Sequence, residues 1–118
     1  MTVTGAADMF FDGLIARVPE LATVRDSLVR ALGEVVPHML MADVGRFVVE
    51  NARDVRLVDD ILDYLEESMN SRDEYIVELI AVSFLENMDP SDPSYDSLSS
   101  RMGPQLSAEL ARLRALWN

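Results

Sequence analysis

Apolar residues in this chain recur at intervals of three and four rather than two, a pattern that commits it to helices and leaves no segment reading as a strand. The strongest instance is Arg72 to Met88. Its second half, Ile76, Val77, Leu79, Ile80, Ala81, Val82, Phe84 and Leu85, is apolar nearly all round. A helix with so little polar face has to be surrounded by others, so it is expected at the centre of a bundle.

The surrounding helices follow from the same periodicity. The first is expected from Ala6 to Arg17, with Met9, Phe10, Leu14 and Ile15 inward. Pro19 opens a second, marked by Leu21, Val24, Leu28 and Leu32 and stopped by Gly33. A third starts at Pro37 and reaches Asn51 or Arg53, with Asp43, Arg46, Glu50 and Arg53 forming one polar stripe. Gly45 inside it costs about 1 kcal/mol relative to Ala, which predicts a close helix crossing. A fourth, Arg56 to Met69, carries the stripe Val58, Leu62, Leu65 and Met69, with Ile61 beside it. Ser71-Arg-Asp-Glu74 has the capping-box pattern and sets the start of the fifth. Asp89-Pro-Ser-Asp-Pro93 reads as a loop, a short helix is expected over Tyr95 to Met102, and Gly103-Pro104 breaks the chain again. Leu106, Leu110, Leu113 and Trp117 mark a last helix. The expectation is an all-α fold: a compact bundle of about six to seven helices over residues 1–118 as one domain. Its fourth and fifth helices resemble one HEAT-type pair, without a true repeat.

Composition narrows the function classes. The chain has 118 residues and a hydrophobic fraction of 49%, enough for one core without disulfides or a metal. It has no Cys, which removes disulfides, thiolate metal sites and a Cys nucleophile. The apolar run Leu79 to Leu85 is too short to cross a bilayer, and Met1 to Asp8 lacks the basic start of a signal peptide, so a cytoplasmic location is expected. The absence of Lys, with abundant Ala, Val, Leu and Arg, is the codon usage of a high-GC bacterial genome. Twenty-one acids against ten bases give a net charge of −11. Such a surface repels nucleic acid and anionic membranes and favours a basic partner.

Three constellations bear on chemistry. Asp59-Asp60-Ile-Leu-Asp63 has the Asp-Asp-x-x-Asp spacing with which isoprenoid synthases hold magnesium-diphosphate, and Asp59 and Asp63 lie one turn apart. Those enzymes are more than twice as long and use a second acidic motif on a facing helix. Glu66, Glu67, Glu74 and Glu78 also suggest the carboxylate pairs of all-helical nucleotide pyrophosphohydrolases, but Met69 and Asn70 stand where a further acid is needed. His38, the only His, lacks the partners of a triad or zinc site. A ring nitrogen bonded to backbone, or a polar contact with Asp43, is expected for it. No glycine-rich phosphate loop and no interleaving of basic and aromatic residues is present, and no cofactor or metal is expected.

What remains is the acidic surface. Asp59, Asp60, Asp63, Glu66 and Glu67 fall on the outward half of the fourth helix, and Asp73, Glu74 and Glu78 continue on the fifth. Like charges so spaced destabilise a helix slightly, so folding alone does not ask for them, whereas a basic partner would. Tyr64, Tyr75 and Tyr95 lie within or beside this field as candidate anchors.

The strings Gly33-Glu-Val-Val-Pro-His38, Asp43-Val-Gly-Arg-Phe47, Leu62-Asp-Tyr-Leu-Glu-Glu67 and Leu79-Ile-Ala-Val-Ser-Phe-Leu-Glu-Asn87 resemble a family of small acidic bacterial proteins that look like immunity proteins of polymorphic toxin systems. The resemblance covers about half the chain. It implies a non-enzymatic protein that binds and occludes a basic toxin, with Pro37, His38, Asp43, Arg46, Glu86 and Asn87 as shared features. The alternatives are a magnesium-dependent nucleotide or diphosphate hydrolase and a helical adaptor.

Overall fold

A computed structural model describes residues 5–116. Among them are seven α-helices and no strands: α1 (Ala6–Arg17), α2 (Ala22–Leu32), α3 (Pro37–Glu50), α4 (Val55–Met69), α5 (Glu74–Ile80), α6 (Tyr95–Ser100) and α7 (Pro104–Leu116). A single 3-10 turn, Pro19–Leu21, leads into α2, and α5 runs on into a π-helical segment, Ala81–Leu85. The chain is an all-α bundle, as the periodicity requires.

Helix α4 and the α5–π segment hold the middle of the core. Leu57, Val58, Ile61, Leu62 and Leu65 of α4 are buried, as are Ile76, Leu79, Ile80, Phe84 and Leu85. The five buried side chains of α4, at about 1.5–3 kcal/mol each, make its inner stripe a dominant source of stability. The expected central helix is therefore present, with one departure: Val82 is exposed. The other inward assignments hold except at Met9 and Leu32, which are exposed, while Phe11 is buried and packs edge-on against Phe10. A stripe read at fixed spacing misses Phe11 because α1 buries neighbouring residues on both sides of its contact line. Trp117 lies outside the described residues.

Helix ends show where local signals were right and where they misled. Gly33 adopts φ 80 and returns its N–H to Val29 O at 2.7 Å, the left-handed stop that glycine permits. The start of α5 differs from the expected capping box. Arg72 sits at φ 63, outside helical space, and Ser71 Oγ donates back to Ser68 O, finishing α4. Asp73 is the actual cap: its carboxylate accepts from the N–H groups of Tyr75 at 3.0 Å and Ile76 at 3.3 Å. The Asp89-Pro-Ser-Asp-Pro loop contains two consecutive Asx turns, Asp89 accepting from Ser91 and Asp92 from Ser94. Each carboxyl is held below its ordinary range, first by the serine hydroxyl it accepts from.

The close approach expected at Gly45 occurs elsewhere. A Cβ on Gly45 would lie 3.6 Å from a Phe84 ring carbon, an ordinary contact. A Cβ on Gly13 would lie 2.4 Å from Tyr64 Oη, so α1 and α4 need that glycine. Gly13→Ala is expected to lower unfolding free energy by about 1–2 kcal/mol through overpacking and loss of the Tyr64 hydrogen bond. Gly45→Ala is expected to raise it by up to about 1 kcal/mol. Urea unfolding midpoints of the two variants check the opposite signs.

Candidate partner-binding surface

The acids of α4 turn out to have intramolecular work. Asp59 receives a bidentate pair from Arg101 at 2.8 Å on each oxygen, joining α4 to the end of α6. Arg101's donation is the main cause that holds the Asp59 carboxyl below its usual range. Tyr64 donates to Phe10 O at 2.6 Å, and burial is the main reason its hydroxyl titrates above the ordinary tyrosine range. Glu67 pairs with Arg17 at 2.8 Å, and Arg17 also lies over the Tyr64 ring. Asp60 stands 3.9 Å from Arg56 one turn earlier.

Glu66 does something no local pattern announces. Its two oxygens accept the N–H groups of Gln105 at 2.8 Å and Leu106 at 2.9 Å. Those are donors in the first turn of α7, left without partners inside the helix, and the preceding Gly103 has no side chain to cap them. A Cβ on Gly103 would stand 2.6 Å from the Glu66 carboxyl carbon, so glycine there is what lets α4 reach the end of α7. The acidity of α4 is thus not a surplus that folding leaves unexplained: Asp59, Glu66 and Glu67 each tie α4 to another element. Asp63 remains exposed, with no ion pair formed among the described residues.

The same geometry bears on a metal-binding role for Asp59-Asp60-x-x-Asp63. Both oxygens of Asp59 face a guanidinium, and no group of three or more His, Asp or Glu residues among those described is arranged to hold an ion.

His38 also departs from expectation. Its Nδ1 lies 2.5 Å from Ser83 Oγ rather than against backbone or Asp43, and Asp43 pairs instead with Arg46. Ser83 lies in the π segment, where Glu86 N–H bonds to Ala81 O, and it faces His38 of α3 from there. Ser83 is buried at 5% exposure, which leaves its hydroxyl inaccessible as a nucleophile. Asn87 caps the end of this helix, donating to Ser83 O at 2.9 Å.

Of the sequence-derived surface, α5 keeps what α4 does not. Asp73 is used as a cap, but Glu74, Tyr75 and Glu78 are exposed. A groove between α5 and α7 collects Glu74, Glu78 and Glu86 around an apolar strip of Val77, Val82 and Leu116. Val82 and Leu116 are among the exposed large hydrophobic residues, and Arg72 and the ion pair of Glu109 with Arg112 line the same groove. Tyr95, the third candidate anchor, is half-buried and accepts from Arg114. The apolar strip was missed because Val82 falls in a run that reads as apolar nearly all round, and Leu116 lies off the Leu106, Leu110 and Leu113 stripe that marks the last helix.

Residues 11–118 match a family described as a domain of unknown function, DUF7674. The chain belongs to that family. No curated protein and no solved structure matches the DUF7674 chain. The family description attaches no toxin or immunity role to it. Among the described residues no helix is long and apolar enough to cross a membrane.

Two substitutions test the internal roles of α4 in this DUF7674 protein. Glu66→Ala is expected to cost about 0.5–2 kcal/mol, the loss of a helix cap, in urea unfolding at neutral pH. The Asp59 carboxyl is lowered in the folded chain, so its contribution is complete above the unfolded value near 4 and disappears as pH falls through the folded one. Asp59→Asn should therefore be less stable than the parent at pH 7, with the gap closing below about pH 4.

Proposed function

We propose that the protein is a toxin-neutralising immunity protein, acting by binding a basic protein partner and covering its substrate cleft. The observation that carries the reading is the α5–α7 groove: Glu74, Glu78 and Glu86 surround exposed Val82 and Leu116, with exposed Tyr75 on the same helix. Acids around an apolar strip fit an interface whose charges steer encounter and whose apolar residues hold the complex. The net charge of −11 extends that attraction over the whole molecule at low ionic strength. The toxin as partner comes from the resemblance of Leu32 to Met88 to immunity proteins, and the groove supports a basic protein partner of any kind.

The binding surface in this reading lies on α5 and α7. The acids of α4 contribute long-range charge, since Asp59, Glu66 and Glu67 are engaged within the fold.

The test is co-expression with a basic toxin encoded beside the protein's own gene. Growth should be restored by the parent chain and by Asp63→Asn. Glu74→Arg combined with Glu78→Arg should weaken toxin binding by tenfold or more, mostly through slower association at low salt, and abolish rescue. Failure to restore growth, together with a rise in melting temperature on adding Mg²⁺, would overturn the reading in favour of a metal-dependent hydrolase.

A further inference from the structure

Both walls of the α5–α7 groove are helical, and their charges differ. On the α5 side stand Glu74, Glu78 and Glu86, and none of the three enters an ion pair formed among the described residues. On the α7 side Glu109 and Arg112 neutralise each other. Arg72, the other cation lining the groove, precedes α5. One wall is therefore negative and the other close to neutral.

Glu74, Glu78, Val82 and Glu86 follow one another at intervals of four residues, so three carboxylates and one apolar side chain form a row with steps of roughly 6 Å. Val82 keeps 41% of its surface exposed and Leu116, from α7, keeps 67%, so the apolar strip is open to contact. Half-buried Val77 continues it.

A segment laid on this strip loses water from its own backbone. The walls are helices whose backbone groups are bonded internally, and Val77, Val82 and Leu116 offer no side-chain partner. An extended segment would leave its N–H and C=O groups unpaired there, whereas a helix satisfies its own. A second copy of this chain is a poor occupant, because each copy carries a net charge of −11.

We infer that the α5–α7 groove receives an amphipathic helix of the basic partner, with Lys or Arg one turn apart against Glu74 and Glu78 and a large apolar side chain, one turn further on, over Val82 and Leu116. A third cation a turn beyond meets Glu86. The basic stripe lies along α5 and the uncharged flank over α7, which fixes how the bound helix is rotated. The inference rests on the reading of this groove as the partner-binding surface and adds the secondary structure and residue pattern of what binds.

The probe is a sixteen-residue alanine-based peptide, acetylated and amidated, with Arg at its second, sixth and fourteenth positions and Leu at its tenth and thirteenth. It is titrated into the full chain at low salt and followed by circular dichroism and ¹⁵N–¹H correlation spectra. The peptide should gain helicity on binding, with saturable shifts at Val77, Val82 and Leu116. Replacing one central Ala by Pro, or the three Arg by Glu, should weaken binding at least tenfold. Val82→Glu and Leu116→Ser, both at exposed positions, should do the same, and Asp63→Asn should bind as the parent does. Equal binding of the Pro peptide, parental binding by folded Val82→Glu, shifts centred on α4, or shifts that follow protein concentration alone would overturn the inference. So would no peptide binding by a chain whose growth rescue is abolished by Glu74→Arg with Glu78→Arg, an outcome that leaves the immunity reading standing. Helical binding without growth rescue would instead sink the immunity reading and keep the helix site.

Discussion

Helix ends need partners, and α7 begins at a glycine that cannot supply one. Glu66 supplies it from α4, accepting two backbone N–H groups with one carboxylate. The same helix receives Arg101 on Asp59, Arg17 on Glu67 and reaches Phe10 through Tyr64. Inward it buries Leu57, Val58, Ile61, Leu62 and Leu65. The two faces differ in kind: the apolar stripe provides about 1.5–3 kcal/mol per side chain, and exposed ion pairs about 0–1 each. Stability therefore comes from the inner face. The outer face decides which way α1, α6 and α7 are held, because each tether fixes one element's end against α4.

That division changes the meaning of the acidic composition. A net charge of −11 invites the view that the acids form one undivided surface for a basic partner. In the folded chain they fall into groups. Those of α4 are mostly fastened to Arg or to backbone, Asp73, Asp89 and Asp92 close caps and turns, and Glu74, Glu78 and Glu86 remain around apolar residues in the α5–α7 groove. A carboxylate already receiving hydrogen bonds has less to offer a partner than one facing only water, since its desolvation would expose no new pairing. The α5–α7 groove is accordingly a better interface than the longer acidic run before it.

The π segment is the second organising irregularity. One wide turn at Ala81–Leu85 sets Ser83 against His38, turns Val82 outward and places Phe84 under Gly45. Three features that look unrelated along the chain, the lone histidine, an exposed valine in an apolar run and a mid-helix glycine, meet at this turn. Local widening of a helix costs hydrogen-bond geometry, and it survives here because α3 and α7 pack around it.

By itself the sequence determined the helices, because the spacing of apolar residues is a local property that survives any tertiary arrangement. It also determined the Gly33 stop, the Asp-Pro loop and the central position of the apolar fifth helix, each written in neighbouring residues. Only the tertiary structure decided the fate of individual polar groups. Asp59 and Arg101 are 42 positions apart and Glu66 and Leu106 are 40 apart, so nothing in either neighbourhood announces the pairing. Gly13 and Gly45 look alike in a helical register, yet a Cβ on the first would collide with Tyr64 and one on the second would meet Phe84 at ordinary contact distance. Periodicity specifies which side of a helix is buried. Which charge meets which, and which glycine is needed for contact, depends on how the helices are placed against one another.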